Sequence, residues 1–128
     1  MRLTTPFDPI EPGETDNFAF DFTADMGAAT LAGTTWTCAL APYQTASDPA
    51  AGSRIIATST ATTIAVRDPL TGNLAVKTGF FSVALVGGMP TSAIGATYVL
   101  SATVTTSDGR TLVLSSTVLC SPNSASPG

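Results

Sequence analysis

Two alternating runs near the C-terminal end, "ATYVLSATVTTS" and "RTLVLSSTVLC", constrain this chain most, because only Asp108-Gly109 separates them. In the first, Tyr98, Leu100, Ala102 and Val104 occupy every second position, and the second run mirrors the pattern. Strand side chains point alternately to opposite faces, so this period predicts two half-buried strands and excludes a helix. Asp-Gly is among the best pairs for a two-residue hairpin loop, in which both central residues need positive φ. The stretch therefore predicts an antiparallel hairpin turning on Asp108 and Gly109. Arg110, just after the turn, can offer its guanidinium across the strand pair or to a neighbouring subunit.

The same period recurs upstream. "NFAFDF" sets Phe18, Phe20 and Phe22 on one face, and "TTWTCAL" turns Trp36, Cys38 and Leu40 inward together. The only tryptophan thus sits in a strand pattern, where it would anchor a core. "RIIATS" and "TTIAV" predict two short strands rich in β-branched residues, "RDPLTGN" a turn, and "FFSVALV" another strand ended by Gly87-Gly88 and Pro90. The one helical candidate, "ADMGAATLAG", contains two glycines and supports a single turn. About seven strands with closely spaced turns predict an all-β, antiparallel sandwich, with Phe, Trp and Tyr filling the space between the sheets.

Residues 1–16 read as an extended N-terminal arm, because Pro6, Pro9 and Pro12 recur at three-residue intervals. The sandwich is expected over residues 17–120, with a loop at 41–53. Residues 121–128, "SPNSASPG", form a flexible polar tail without a core pattern.

Charge is the unusual part of the composition. Apolar residues make up 44% of the 128, enough for a real core, while Asp, Glu, Lys and Arg make up only 11%, against roughly 25% in ordinary soluble domains. The 22 Thr and 12 Ser fill the gap, and mean hydropathy is +0.32. So neutral a surface resists self-association poorly. Much of it is expected to be covered by neighbours in an assembly, the rival being a Thr-rich secreted domain. Lys77 and the four arginines Arg2, Arg54, Arg67 and Arg110 are scattered, and net charge is −4, which argues against nucleic-acid binding. No apolar run follows Arg2, so no signal peptide is expected, and "FFSVALVGGM" is too short to span a bilayer.

Catalytic constellations do not emerge. The chain has no histidine, which removes the usual general base, the usual zinc ligand and the Ser-His triad. Cys38 and Cys120 lie outside any Cys-x-x-Cys motif and read as free buried thiols, with a disulfide as the alternative. Asp21 and Asp25 are a carboxylate pair four positions apart, and Asp21 reads as the solvated face of a strand. Asp8, Glu11, Glu14 and Asp16 put four carboxylates in nine residues, which raises calcium, but the intervening prolines favour a solvated acidic arm. Gly87-Gly88 lies between strands, so it is not a phosphate loop. No enzyme activity, cofactor, metal, small-molecule substrate or membrane partner is expected.

Two resemblances rest on particular residues. Gly95-x-x-Tyr98 followed by alternating apolar residues resembles the penultimate strand of immunoglobulin and fibronectin type III sandwiches, where a tyrosine pins the corner of the fold. The chain also resembles tailed-bacteriophage structural proteins of the fibre–tail adaptor type. The residues that carry this are the Pro- and acid-containing arm, Phe20-Asp21-Phe22, Gly33-Thr34-Thr35-Trp36, and the segment from Gly95 through Tyr98 to Thr105-Thr106-Ser107-Asp108-Gly109-Arg110. It spans most of residues 11–119 and is distinctive only at its two ends. The segment 41–53 and the shortened Gly-Trp spacing depart from the pattern. The resemblance implies an immunoglobulin-like virion component assembled in the bacterial cytoplasm and repeated around the tail or neck axis. Its partners would be other virion proteins and copies of itself. Trp36, Tyr98, Asp108 and Gly109 are then structural, and Arg110 is a possible subunit contact. The rivals are a phage head decoration or minor capsid protein with the same fold, and a bacterial surface adhesion module.

Overall fold

The computed structural model describes residues 2–3, 7, 9–42, 48–67 and 70–121. Asp8, the predicted tail from residue 122 onward and the Asp68-Pro69 part of the predicted turn lie outside the described residues. Strands β1 (Arg2–Leu3), β2 (Thr15–Asp21), β3 (Leu31–Leu40), β4 (Ile55–Arg67), β5 (Leu74–Gly87), β6 (Thr97–Thr106) and β7 (Thr111–Leu119) are joined by one helical turn, α1 (Thr23–Met26), and two short 3-10 turns. They form two sheets, ordered β1-β7-β6-β3 and β2-β5-β4. The molecule is an all-β sandwich. Every pairing between named strands is antiparallel except the two-residue β1, which runs parallel to β7.

The alternation places the core. Phe18 and Phe20 from β2 and Ala84 and Val86 from β5 face Trp36 and Cys38 from β3 and Tyr98, Leu100, Ala102 and Val104 from β6, all buried. Phe20 and Trp36 lie with ring centroids 5.0 Å apart, and the indole nitrogen donates to Ser82 Oγ at 2.7 Å. That bond removes the cost of burying the one polar atom of the tryptophan. Cys38 and Cys120 are both buried free thiols, and burial pushes both up, Cys38 to about 12.

Three local expectations need correction. The predicted strands "RIIATS" and "TTIAV" are one strand, β4, whose register shifts between Ile55 and Ala57 and again between Ala61 and Thr63. The bulges absorb the irregular pattern that reads as a break between two strands. Strand β5 begins at Leu74, six residues before "FFSVALV". The β6–β7 turn has three residues rather than two. Thr106 N donates to Arg110 O, Gly109 N donates to Thr106 O, and Gly109 takes φ +85°. This is a tight turn closed by a glycine bulge, so left-handed backbone is needed at Gly109, and Asp108 serves through its carboxylate.

The described part of the arm lies against its own sandwich, and it turns at Pro12-Gly13, where Glu14 N donates to Glu11 O and Gly13 takes φ +78°. Ile10 is buried, bridges Cys120 and donates from its N–H to Leu119 O. The Phe7 ring packs 4.8 Å from Phe18 and 5.2 Å from Phe20.

Candidate protein–protein interface

Three side-chain groupings stand out, and two of them hold the fold. In the first, Asp48 is buried and accepts from Tyr98 Oη at 2.6 Å, from Arg54 Nε and Nη2 at 2.7 Å each, and from Ala50 N at 3.1 Å. The Arg54 bonds hold the Asp48 carboxyl well below the usual range, at about 2, while burial and then the Asp48 bond push the Tyr98 phenol up. A buried charge tolerates its site only when paired and hydrogen-bonded, and here both conditions are met. Tyr98 therefore pins the segment leading into β4 to the start of β6. Sequence reasoning found the tyrosine and missed its partner.

The second grouping surrounds the Asp108–Arg110 turn. Asp108 accepts from Thr106 Oγ1 and from Arg110 Nε at 3.0 Å, and the Arg110 backbone N–H donates to Thr106 Oγ1 at 2.9 Å. Arg110 Nη1 and Nη2 then reach the carbonyls of Asp25 and Met26 at 2.9 and 3.0 Å. A guanidinium suits this task because its planar fork presents several donors at once. The side chain proposed as a subunit contact thus ties the β6–β7 turn to the end of α1 within its own chain. Within this cluster Asp108 accepts from Thr106 and Arg110, and Gly109 supplies the positive φ of the turn.

The third grouping faces outward. Beyond Asp21, the last residue of β2, strand β5 has only β4 for a neighbour, and the two continue as a two-stranded ribbon through the rungs Thr63↔Thr78, Ile64↔Lys77, Ala65↔Val76, Val66↔Ala75 and Arg67↔Leu74. Five rungs extend it by about 17 Å. Every residue from Leu74 to Thr78 is exposed, with Leu74 at 65%, Val76 at 73% and Leu70, in the turn, at 93%. An isolated two-stranded hairpin is marginal in water, and exposed aliphatic residues make no contribution to it.

The base of the ribbon is braced. Phe22 N donates to Phe80 O, Phe80 N donates to Thr23 Oγ1, both at 2.9 Å, and Lys77 Nζ pairs with Asp21 at 3.0 Å. A Cβ at Gly79 would collide with Thr23 Oγ1 and crowd the Phe81 ring, so glycine there lets α1 approach the strand. On the other side of the base is a hollow of about 330 Å³ lined by Thr30, Leu31, Thr60, Ala61, Thr62 and Phe80. Its lining offers hydroxyl and apolar contacts and no ionisable side chain. This ribbon, with the hollow at its foot, is the candidate interface.

Elsewhere the described residues offer little for chemistry. Among them no three of Cys, Asp and Glu come together to hold a metal ion, and no helix is long and apolar enough to cross a membrane. Glu14 accepts from Glu11 N at 3.1 Å and Asp16, in β2, from Asn17 N at 2.8 Å, so these carboxylates bond nearby backbone. Comparison with protein-family models, curated proteins and solved structures finds no match to this chain.

Proposed function

We propose that this protein is a non-enzymatic structural component of a tailed-phage virion, an adaptor that joins tail or neck to fibres or adjacent rings through protein–protein contacts. The observation that carries the reading is the ribbon, which exposes Leu70, Leu74 and Val76 beyond the sandwich in a chain with few charges. Exposed aliphatics clustered on a projecting element mark an interaction surface. A braced base under an unsupported ribbon fits an element whose outer half is completed by a neighbour.

The immunoglobulin-like reading has independent support. The orders β2-β5-β4 and β7-β6-β3 are those in which immunoglobulin-type sandwiches arrange their second to seventh strands, and Tyr98 stands at the start of the sixth. One departure is that the Tyr98 hydroxyl bonds the Asp48 carboxylate instead of nearby backbone. The phage assignment draws on the sequence resemblance and on the low-charge surface, which suits a protein packed among others.

The test is an antibody raised against the folded domain and applied to intact phage particles. Label at the tail or neck is the expected result. Label confined to the head would favour a decoration protein, and particles without label would end the virion reading.

A further inference from the structure

We propose that Thr106 and Arg110, clasping the β6–β7 turn, keep the Asp108-Gly109 bond from rearranging to isoaspartate, so that Arg110 guards the covalent backbone of the turn as well as its position. The inference stands apart from the structural-subunit reading and takes nothing from it. No other Asp or Asn in the chain is followed by glycine. That pairing is the most reactive of its kind, because a residue without a Cβ lets its nitrogen come close to the preceding side chain.

The rearrangement needs no reactant beyond water. Gly109 N attacks Asp108 Cγ and forms a carbon–nitrogen bond. The Cγ–OH bond breaks, the amide gives up its proton, and one water leaves. The resulting succinimide then takes up one water at either carbonyl. Opening at the side-chain carbonyl restores aspartate, and opening at the main-chain carbonyl leaves the backbone running through Cγ. Mass is unchanged, but the turn beneath the Thr105↔Thr111 rung gains one backbone carbon.

Each requirement of ring closure is opposed in the folded turn. The attacking nitrogen is occupied, since Gly109 N donates to Thr106 O at 3.0 Å. The carboxylate is held at both oxygens: Oδ1 accepts from Thr106 Oγ1 and, at 3.1 Å, from Arg110 Nε, while Oδ2 accepts from Arg110 Nε at 3.0 Å. These bonds, Thr106 first and Arg110 second, draw the carboxyl below its usual range, whereas loss of water calls for the neutral acid. Arg110 is anchored in turn, with Nη1 and Nη2 on the Asp25 and Met26 carbonyls at 2.9 and 3.0 Å. Asp108 therefore cannot swing its Cγ onto Gly109 N without abandoning a fixed guanidinium. Burial plays no part, because the Asp108 and Arg110 side chains are 51% and 44% exposed. Bonding alone guards the site.

The experiment ages the full chain at neutral pH, folded and unfolded in urea, beside folded Arg110→Ala and folded Asp48→Asn. Electron-transfer fragmentation of the peptide spanning Asp108 separates aspartyl from isoaspartyl forms of equal mass. Folded wild type is expected to accumulate isoaspartate far more slowly than the unfolded chain. Arg110→Ala, with its circular dichroism unchanged, is expected to react about tenfold faster than folded wild type, because the turn opens locally more often. Asp48→Asn weakens the opposite end of β6 and leaves the turn bonds in place, so it is expected to match the wild type. Three results would each overturn the proposal: folded wild type as fast as the unfolded chain, Arg110→Ala as slow as wild type, or Asp48→Asn as fast as Arg110→Ala. In the last case the reaction follows global stability and the clasp has no special part in it. Should Arg110→Ala fail to fold, Arg110→Lys keeps the charge, lacks the planar fork and takes its place with the same expectation. None of these results touches the virion reading, which particle labelling decides by itself.

Discussion

The β6–β7 and β4–β5 hairpins are built from the same kinds of residue, Thr, Ala, Val and Leu on long antiparallel strands, yet they are held by different things. In β6–β7, alternate residues Tyr98, Leu100, Ala102 and Val104 are fully buried, and the turn is tied to α1 by Arg110. In the outer half of β4–β5, no residue of described burial is buried, and the ladder and the exposed Lys77–Asp21 pair take the place of a core. Residue type therefore decides that both segments are strands, and burial on one face decides which of them stabilises the domain.

The largest test of that contrast exchanges like for like. Leu100→Ala removes a fully buried side chain and is expected to cost about 2–5 kcal/mol, whereas Val76→Ala on the ribbon should stay within about 0.5 kcal/mol. Urea unfolding midpoints of the two variants measure the difference directly. Equal losses would mean that the ribbon is packed in solution.

Next in size is the Asp48 clasp on β6, for which the ribbon has no counterpart. Asp48→Ala leaves the Tyr98 hydroxyl and the Arg54 guanidinium without their shared acceptor and should cost about 2–3 kcal/mol. The clasp also sets an acid limit. With the folded carboxyl depressed to about 2 from an ordinary 3.8, its contribution is complete above pH 3.8 and is lost as pH falls toward 2. Thermal melts of wild type and Asp48→Asn between pH 2 and 5 should converge at the acid end.

Arg110→Ala follows, at about 1–2 kcal/mol, because its bonds to the Asp25 and Met26 carbonyls lie partly exposed. Arg110→Lys should not restore the loss, since one ammonium cannot reproduce the planar fork that spans Asp108 and two carbonyls. Chemical denaturation of both variants reads this out. Full rescue by lysine would reduce the role of Arg110 to charge.

The smallest effect sharpens the comparison most. Gly109 and Gly72 both carry positive φ in hairpin turns, at +85° and +73°. Gly109→Ala should lower global stability by about 1 kcal/mol. Gly72→Ala should leave the midpoint in place and only speed amide exchange along the ribbon, where opening is local. Hydrogen exchange followed residue by residue separates the two outcomes.

What could be read from the sequence follows the same division. Strands facing the core write a period of two because one face must be apolar, which is why Phe18, Phe20, Trp36 and Tyr98 were legible. The ribbon buries neither face, so its residues have no such period, and β4 reads as two fragments around its bulge. Asp48 was hidden for another reason: a lone Asp before Pro49 looks like a turn residue, and its partner Tyr98 lies 50 positions away. The Arg110 acceptors are backbone carbonyls about 85 residues upstream, and carbonyls have no side-chain signature. The extra turn residue escaped notice because Ser107 fits equally well as strand or loop.

The way Tyr98 and its neighbour hold the β3–β4 connection has a dynamic consequence. Ala41 N donates to Thr97 O, and Asp48 receives the Tyr98 hydroxyl, so consecutive residues of β6 fasten both sides of the intervening stretch. The two fastenings differ in kind: Tyr98→Phe would release the Asp48 side and leave the Ala41 side, a backbone pair, in place, so amide exchange should quicken ahead of β4 and stay slow at the end of β3.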